Sequence, residues 1–149
     1  DAETSPFQVN LAYQVPRKKS ADYIGKAALE AQRDEIEAGR YPFALKLVGL
    51  KMGGLPITDY APDFWLVGDE NDERCGYVTS PWYSPDLEQN IALAYVPWEK
   101  SAIGTRLRVE LPEMYQESSG KSVWAIVSEV PFVASAHPSA RERRKEGGA

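Results

Sequence analysis

Few side chains in these 149 residues could make or break bonds. The chain has one histidine, His137, and one cysteine, Cys75. A single cysteine excludes an internal disulfide and any cysteine metal cluster, and a single histidine excludes the usual histidine-rich zinc sites. General-base chemistry therefore has little to draw on. Ser84, His137 and an aspartate supply the residue types of a triad, but no nucleophile-elbow sequence surrounds Ser84. On its own residues His137 reads as a surface histidine. No catalytic residue and no metal ligand set emerge.

The remaining constellations are binding motifs at most. Met52-Gly53-Gly54-Leu55 lacks the Lys-Ser/Thr of a phosphate-binding loop and reads as a turn. The acidic run Asp69-Glu70-Asn71-Asp72-Glu73 lacks EF-hand ligand spacing and reads as a solvated hairpin turn whose charge discourages edge pairing. Tyr60, Phe64, Trp65, Tyr77, Trp82 and Tyr83 form an aromatic cluster. Such side chains can stack on a planar ligand such as a pterin, or fill a barrel core and cover its ends. Arg17-Lys18-Lys19 is a basic run that could hold an acidic ligand by charge-assisted hydrogen bonds, or be a solvated turn.

These residues have to be positioned by a single domain with a lead-in and a tail. Apolar residues make up 43% of the chain and charged residues 26%, an ordinary globular composition. Seventeen basic against 22 acidic residues give a net charge of -5, which argues against nucleic acid as partner. No apolar stretch approaches the roughly 18 residues of a membrane span, and the opening Asp1-Ala2-Glu3-Thr4 has no signal-peptide character. One cysteine suits a reducing cytoplasm.

Phe7, Val9, Leu11, Tyr13 and Val15 alternate with Gln8, Asn10, Ala12 and Gln14, which predicts a strand ended by Pro16. A helix is expected from about Asp22 to Ala38, capped by Ser20 or Asp22 and stopped at Gly39. Its apolar residues Ile24, Ala27, Ala28 and Ala31 share one face, with Leu29 and Ile36 adjoining. That weakly apolar helix needs something to pack against. Short apolar runs follow at 43–52, 64–67, 74–80, 90–96, 105–111 and 121–130, separated by Gly and Pro. In the clearest, Leu107, Val109 and Leu111 face one way and Arg106, Arg108 and Glu110 the other. Six such strands predict a sandwich or barrel, because closure removes unpaired edges. Residues 134–149 read as a charged tail, with one or two helical turns at Arg141–Glu146 and a disordered Gly147-Gly148-Ala149.

Eight stretches in order carry a family resemblance. They are Ser5-Pro6-Phe7-Gln8-Val9-Asn10-Leu11-Ala12-Tyr13, Asp22-Tyr23-Ile24-Gly25-Lys26-Ala27-Ala28-Leu29, Lys46-Leu47-Val48-Gly49-Leu50, Gly76-Tyr77-Val78-Thr79-Ser80, Tyr83-Ser84-Pro85, Asn90-Ile91-Ala92-Leu93-Ala94-Tyr95-Val96, Gly104-Thr105 and Pro131-Phe132. The series resembles the C-terminal part of the glycine cleavage T-protein (aminomethyltransferase) superfamily, which includes folate-dependent demethylases such as dimethylsulfoniopropionate demethylase.

The resemblance implies a six-stranded antiparallel barrel preceded by a strand–helix lead-in. Residues 1–41 would be the end of a folate-binding catalytic region, 42–133 the barrel, and 134–149 the tail. The catalytic aspartate and most of the folate pocket would lie in an N-terminal region or partner subunit, which would also receive the small-molecule one-carbon donor. Transfer of that unit to tetrahydrofolate is the implied reaction, and this chain alone would be an incomplete catalyst. Carried over singly, Lys19, with Arg17 and Lys18 beside it, would contact the folate, and His137 would approach it from past Pro131-Phe132. Three departures favour a demethylase or an uncharacterised relative: Leu45-Lys46 where the family often has Arg-Lys, Pro81-Trp82 where it has Gly, and Tyr60-Ala61-Pro62-Asp63-Phe64-Trp65 in place of a plainer segment. The other reading is a non-catalytic barrel used for protein–protein interaction, with the Pro81-Trp82 segment as its docking surface. Between two prolines, at least one of Trp82 and Tyr83 is expected to pack against the barrel or the helix.

Overall fold

Alternation of apolar and polar residues makes a strand one-sided, and a set of one-sided strands buries its apolar side best by closing on itself. In a computed structural model that describes residues 4–17 and 20–133, the strands do this. They are β1 Lys46–Met52, β2 Trp65–Gly68, β3 Arg74–Ser84, β4 Gln89–Val96, β5 Arg106–Glu110 and β6 Ser122–Ser128. All pairings are antiparallel, and the barrel closes in the order β1-β4-β3-β2-β5-β6. In β4, Asn90, Ala92, Ala94 and Val96 point inward while Ile91, Leu93 and Tyr95 point out. In β5, Leu107 and Val109 are inside, and Leu111 continues the buried series beyond it. The six-stranded barrel is thus as expected, with strand ends shifted by a few residues.

Two glycines let strands and loops approach closely. A Cβ on Gly76 of β3 would run into the carbonyl oxygen of Tyr95 on β4. A Cβ on Gly49 of β1 would sit 2.7 Å from Val130 Cγ2 and 2.8 Å from Phe132 Cε1, so only glycine admits the chain leaving β6. The Gly53-Gly54 segment is a turn, locked by buried Asn90. The Asn90 Oδ1 accepts from Ile57 N at 2.9 Å, and its Nδ2 donates to the carbonyls of Gly53 and Leu55 at 3.1 and 2.9 Å.

The lead-in differs from expectation. Residues 7–15 form turns and a 3-10 turn at Ala12–Gln14, not a strand. Leu11 N bonds back to Pro6 O and Gln14 N to Leu11 O, and Asn10 takes φ +61°, so the backbone curls where an extended strand was predicted. Helix α1 runs over Lys26–Glu37, later than expected. Neither Ser20 nor Asp22 caps it: Gly25 at φ +85° precedes it, and the Asp22 carboxylate accepts from Tyr23 N instead. Gly39 at φ +79° does stop it. No residue of α1 is buried. Leu29 and Ile36 are half-buried, whereas Ile24, Ala27, Ala28 and Ala31 face solvent. A short helix, α2 at Glu113–Ser119, joins β5 to β6 and was not foreseen.

Candidate functional site

Arg17, the described residue of the basic run, is placed by what the lead-in bonds to. Ser5 Oγ donates to Gln32 Oε1 of α1 at 2.7 Å. Gln8 O accepts from Leu47 N at 2.8 Å, Gln8 Nε2 donates to Leu45 O at 3.1 Å, and Asn10 Nδ2 donates to Leu47 O at 3.0 Å. The lead-in is therefore pinned to the start of β1 on one side and to α1 on the other. Arg33 of α1 donates to Val15 O at 2.8 Å. Arg17 pairs with Glu37 at 2.6 Å, with side chains 74% and 48% exposed. The candidate cation is thus already engaged in a solvent-screened pair. Lys18 and Lys19 lie outside the described residues, as does His137 with the tail 134–149.

The chain that leads toward His137 leaves β6 through Val130-Pro131-Phe132 and crosses Gly49 of β1. Lead-in and tail exit thus meet at the same strand. A cleft of about 240 Å³ lies between them, with Asn10, Lys46, Gly49, Ser101, Val127 and Val130 in its wall. Lys46 Nζ is 4.7 Å from the centroid of the Trp98 ring, and burial pulls its pKa down. Tyr41 stacks on the same Trp98 ring, with centroids 4.5 Å apart and planes 13° off parallel. The Tyr41 hydroxyl is buried without a partner among the described residues. Burial, then the nearby Tyr95, pushes its pKa up to about 12.

The cleft carries one cation, Lys46, and one carboxylate, Glu129, so it can meet a ligand that bears both an anionic and a cationic or hydrogen-bond-donating group. Among the described residues no group of three metal-ligating side chains comes together. Lys46, Asn10 and Gly49 were not singled out as site residues by sequence reasoning. Two of them stand in the Lys46-Leu47-Val48-Gly49-Leu50 stretch, where a lysine three residues before a glycine in an apolar strand was the available signal.

Other sequence candidates are placed as follows. The acidic run is a hairpin turn, but Asp69 is buried rather than solvated. Its carboxylate accepts from Lys100 Nζ at 2.8 Å and from Asn71 N and Glu73 N at 2.8 and 3.1 Å. Those bonds, Lys100 first, hold its pKa below the usual carboxylate range. Burial raises the Cys75 thiol, so Cys75 behaves as a small apolar residue beside the core. The aromatic cluster does not fill the barrel: only Trp65 is buried, and the core is otherwise aliphatic. Tyr83 is half-buried and its N–H bonds to Ile57 O, while Trp82 is half-exposed, so the pair is not free in solvent. No helix is long and apolar enough to cross a membrane among the described residues.

Comparison with known proteins agrees with this geometry. Residues 46–134 match the family model of the glycine cleavage T-protein C-terminal barrel domain. The aminomethyltransferase of Parasynechococcus marenigrum is 36% identical over 132 residues, covering 89% of this chain and 31% of that protein. Human mitochondrial dimethylglycine dehydrogenase is 30% identical over 152 residues, covering 99% of this chain and 15% of that protein. The crystal structure of the glycine cleavage system aminomethyltransferase T from Bartonella henselae superposes with a TM-score of 0.64 at 28% identity, covering 88% of this chain and 32% of that one. The chain spans about a third of the length of the aminomethyltransferases it matches. With a family match over more than half its residues, this chain belongs to the glycine cleavage T-protein C-terminal barrel family.

Proposed function

We propose that this chain is the C-terminal portion of a tetrahydrofolate-dependent aminomethyltransferase-like or demethylase enzyme, which moves a one-carbon unit from a small-molecule donor to folate in the cytoplasm. Family membership carries the reading, and the meeting of lead-in and tail exit at the Lys46 cleft supports it. Arg17, Lys19 and His137 are the cofactor-binding positions the resemblance assigns. Arg17 and Lys19 belong to the lead-in, and His137 to the segment after Phe132. The catalytic group belongs to an N-terminal region or partner subunit. The exposed residues Ala27, Ala28 and Ala31 of α1, with Ile24 just before it, are where that region would rest.

The described residues fit only one end of a folate. Lys46 suits a carboxylate, but a cleft of about 240 Å³ falls short of the roughly 300–1,000 Å³ of ligand pockets and cannot enclose a pterin. An exposed lysine–carboxylate contact contributes at most about 1 kcal/mol, against roughly 8 kcal/mol for micromolar binding. The chain alone is therefore expected to bind tetrahydrofolate weakly and to show no transferase activity. Calorimetric titration of the chain, alone and with an N-terminal region supplied, tests this. Micromolar affinity of the chain by itself, lost in Lys19→Ala, would overturn the division of labour. A half-exposed Trp82 favours the other reading, a docking barrel, if no N-terminal region restores binding.

A further inference from the structure

One cleft on the barrel belongs to neither the lead-in nor the tail exit. It holds about 320 Å³ between the loop before β2 and the middle of β3. Tyr60, Phe64 and Trp82 line it and are 78%, 67% and 50% exposed. Asp59 and Asp63 share its wall, and no lysine or arginine does. Four other clefts on this molecule each carry at least one cation, among them Arg74, Lys51, Lys100 and Lys46.

Aromatic faces are electron-rich and attract cations. Elsewhere the chain uses its own. Lys46 covers Trp98 at 4.7 Å, and Arg106 and Arg108 lie 4.4 and 5.1 Å from the ring centroid of Trp124. Among the described residues no such cation lies over Tyr60, Phe64 or Trp82. Neither Asp59 nor Asp63 takes part in an ion pair there.

The walls are held in place before any ligand arrives. Tyr115 Oη donates to Asp59 O at 2.6 Å and accepts from Asp59 N at 2.9 Å, which clamps the loop backbone. The Phe64 ring rests 5.2 Å from that of Tyr77. On the other wall β3 carries an extra residue between Val78 and Ser80, and the bulged Thr79 donates to Leu93 O at 3.2 Å. Pro62 and Pro81 stiffen both segments. Both segments are among the three departures noted in the sequence, and the fold brings them to a single cleft.

We propose that this cleft binds a methylated ammonium group on a small molecule, with Tyr60, Phe64 and Trp82 as an aromatic cage and Asp59 and Asp63 as counter-charge. N-methyl groups shed water more readily than a bare ammonium and match aromatic faces, while two carboxylates repel an anionic ligand. The inference stands apart from the folate reading.

Tetramethylammonium and choline are the cationic probes, and 3,3-dimethylbutan-1-ol is the neutral isostere of choline. Titration of the full chain, followed by NMR, is expected to give saturable shifts confined to residues 59–64 and 79–82. The neutral alcohol should bind at least about tenfold more weakly, and Trp82→Ala and Asp63→Asn should each weaken choline by about tenfold. Trp124→Ala should leave choline binding unchanged. Phosphocholine, whose phosphate meets the carboxylates, should bind more weakly than choline. Equal binding of the neutral alcohol, phosphocholine binding as tightly as choline, shifts centred on Trp98 or Trp124, or no saturation by either cation would each overturn the proposal. Asp63→Asn and the isostere keep the test decisive if Trp82→Ala fails to fold.

Discussion

The barrel and the lead-in obey opposite rules within one chain. Every buried apolar residue among those described lies between Val48 and Val127, inside the barrel or its loops. Among the described residues of the lead-in, 4–17 and 20–41, only Ser5 is buried, and that residue is polar. The barrel is held by burial, and its hydrogen bonds close on themselves. The lead-in is held by single contacts: Ser5 to Gln32, Arg33 to Val15, Arg17 to Glu37. Arg17–Glu37 is solvent-screened and the other two are single part-buried hydrogen bonds, so together they stabilise little beside a buried core. The difference teaches that α1 buries little of its surface within this chain, whereas the barrel buries its apolar side against itself.

The largest effect that would sharpen this contrast is a pair of truncations. Leu107 is 0% exposed and Ile24 is 103% exposed. Leu107→Ala should cost about 2–5 kcal/mol through lost transfer energy and a cavity. Ile24→Ala should change barrel stability by no more than about 0.5 kcal/mol. Chemical denaturation measures both. Comparable losses would mean that lead-in and barrel are one packed unit.

Asn90 comes next. It is a polar residue at an inward position of β4, and it holds three backbone groups of the 53–57 turn. Asn90→Ala leaves the Ile57 N–H and two carbonyls without their partner, at a cost of about 1–3 kcal/mol. Hydrogen exchange of Ile57 N–H should accelerate more than that of residues in α1. If Ile57 protection is unchanged, the turn is held by something other than Asn90.

The hairpin contact between Asp69 and Lys100 gives a pH test confined to the barrel. The Asp69 pKa is depressed below its ordinary 3.8 when folded, with Lys100 as the first cause and backbone N–H groups next. Its contribution is complete above about that value and is lost as pH falls through the depressed folded value. The Lys100 pKa is raised above its ordinary 10.5 by the same bond. Its contribution is complete below that value and is lost as pH rises through the raised one. Stability should therefore be flat in between and fall on both sides, and Asp69→Asn should remove part of both slopes. An acid limb identical in Asp69→Asn would show that other carboxylates cause it.

Much of this contrast was legible in the sequence, and the failures lie on its weaker side. The strands were readable because alternation reports a buried face, as Leu107, Val109 and Leu111 show. The same period-two pattern over Phe7–Val15 misled, because no sheet edge takes up that segment. Local bonds from Leu11 to Pro6 and from Gln14 to Leu11 bend it instead. Polar caps at Ser20 and Asp22 were outweighed by Gly25, whose positive φ sets the start of α1. Helix α2 escaped notice because it buries no residue and so imposes no apolar period. At the candidate site, Arg17 was legible as a cation but not as the partner of Glu37, a contact made only once α1 brings the two together. Lys46 was hidden inside a strand motif.

Tyr41 stands where lead-in meets barrel and gives the smallest and most informative test. Its ring stacks on Trp98 and meets Phe43 edge-on at 5.2 Å, while its hydroxyl is buried without a partner among the described residues. An unpaired buried hydroxyl loses hydration with no return, so Tyr41→Phe should keep the stacking and stabilise the chain by up to about 1 kcal/mol. The folded pKa of about 12 against an ordinary 10.0 adds a pH signature. Stability tied to the protonated phenol is full below pH 10 and is lost as pH rises toward 12. Tyr41→Phe should remove that alkaline decline, measured as the change in denaturation midpoint between neutral pH and the Tyr41 range. If Tyr41→Phe instead destabilises, the hydroxyl has a partner in the folded protein. The junction would then be held by a bond and not by ring packing alone, and the lead-in would be better anchored than its exposed helix face implies.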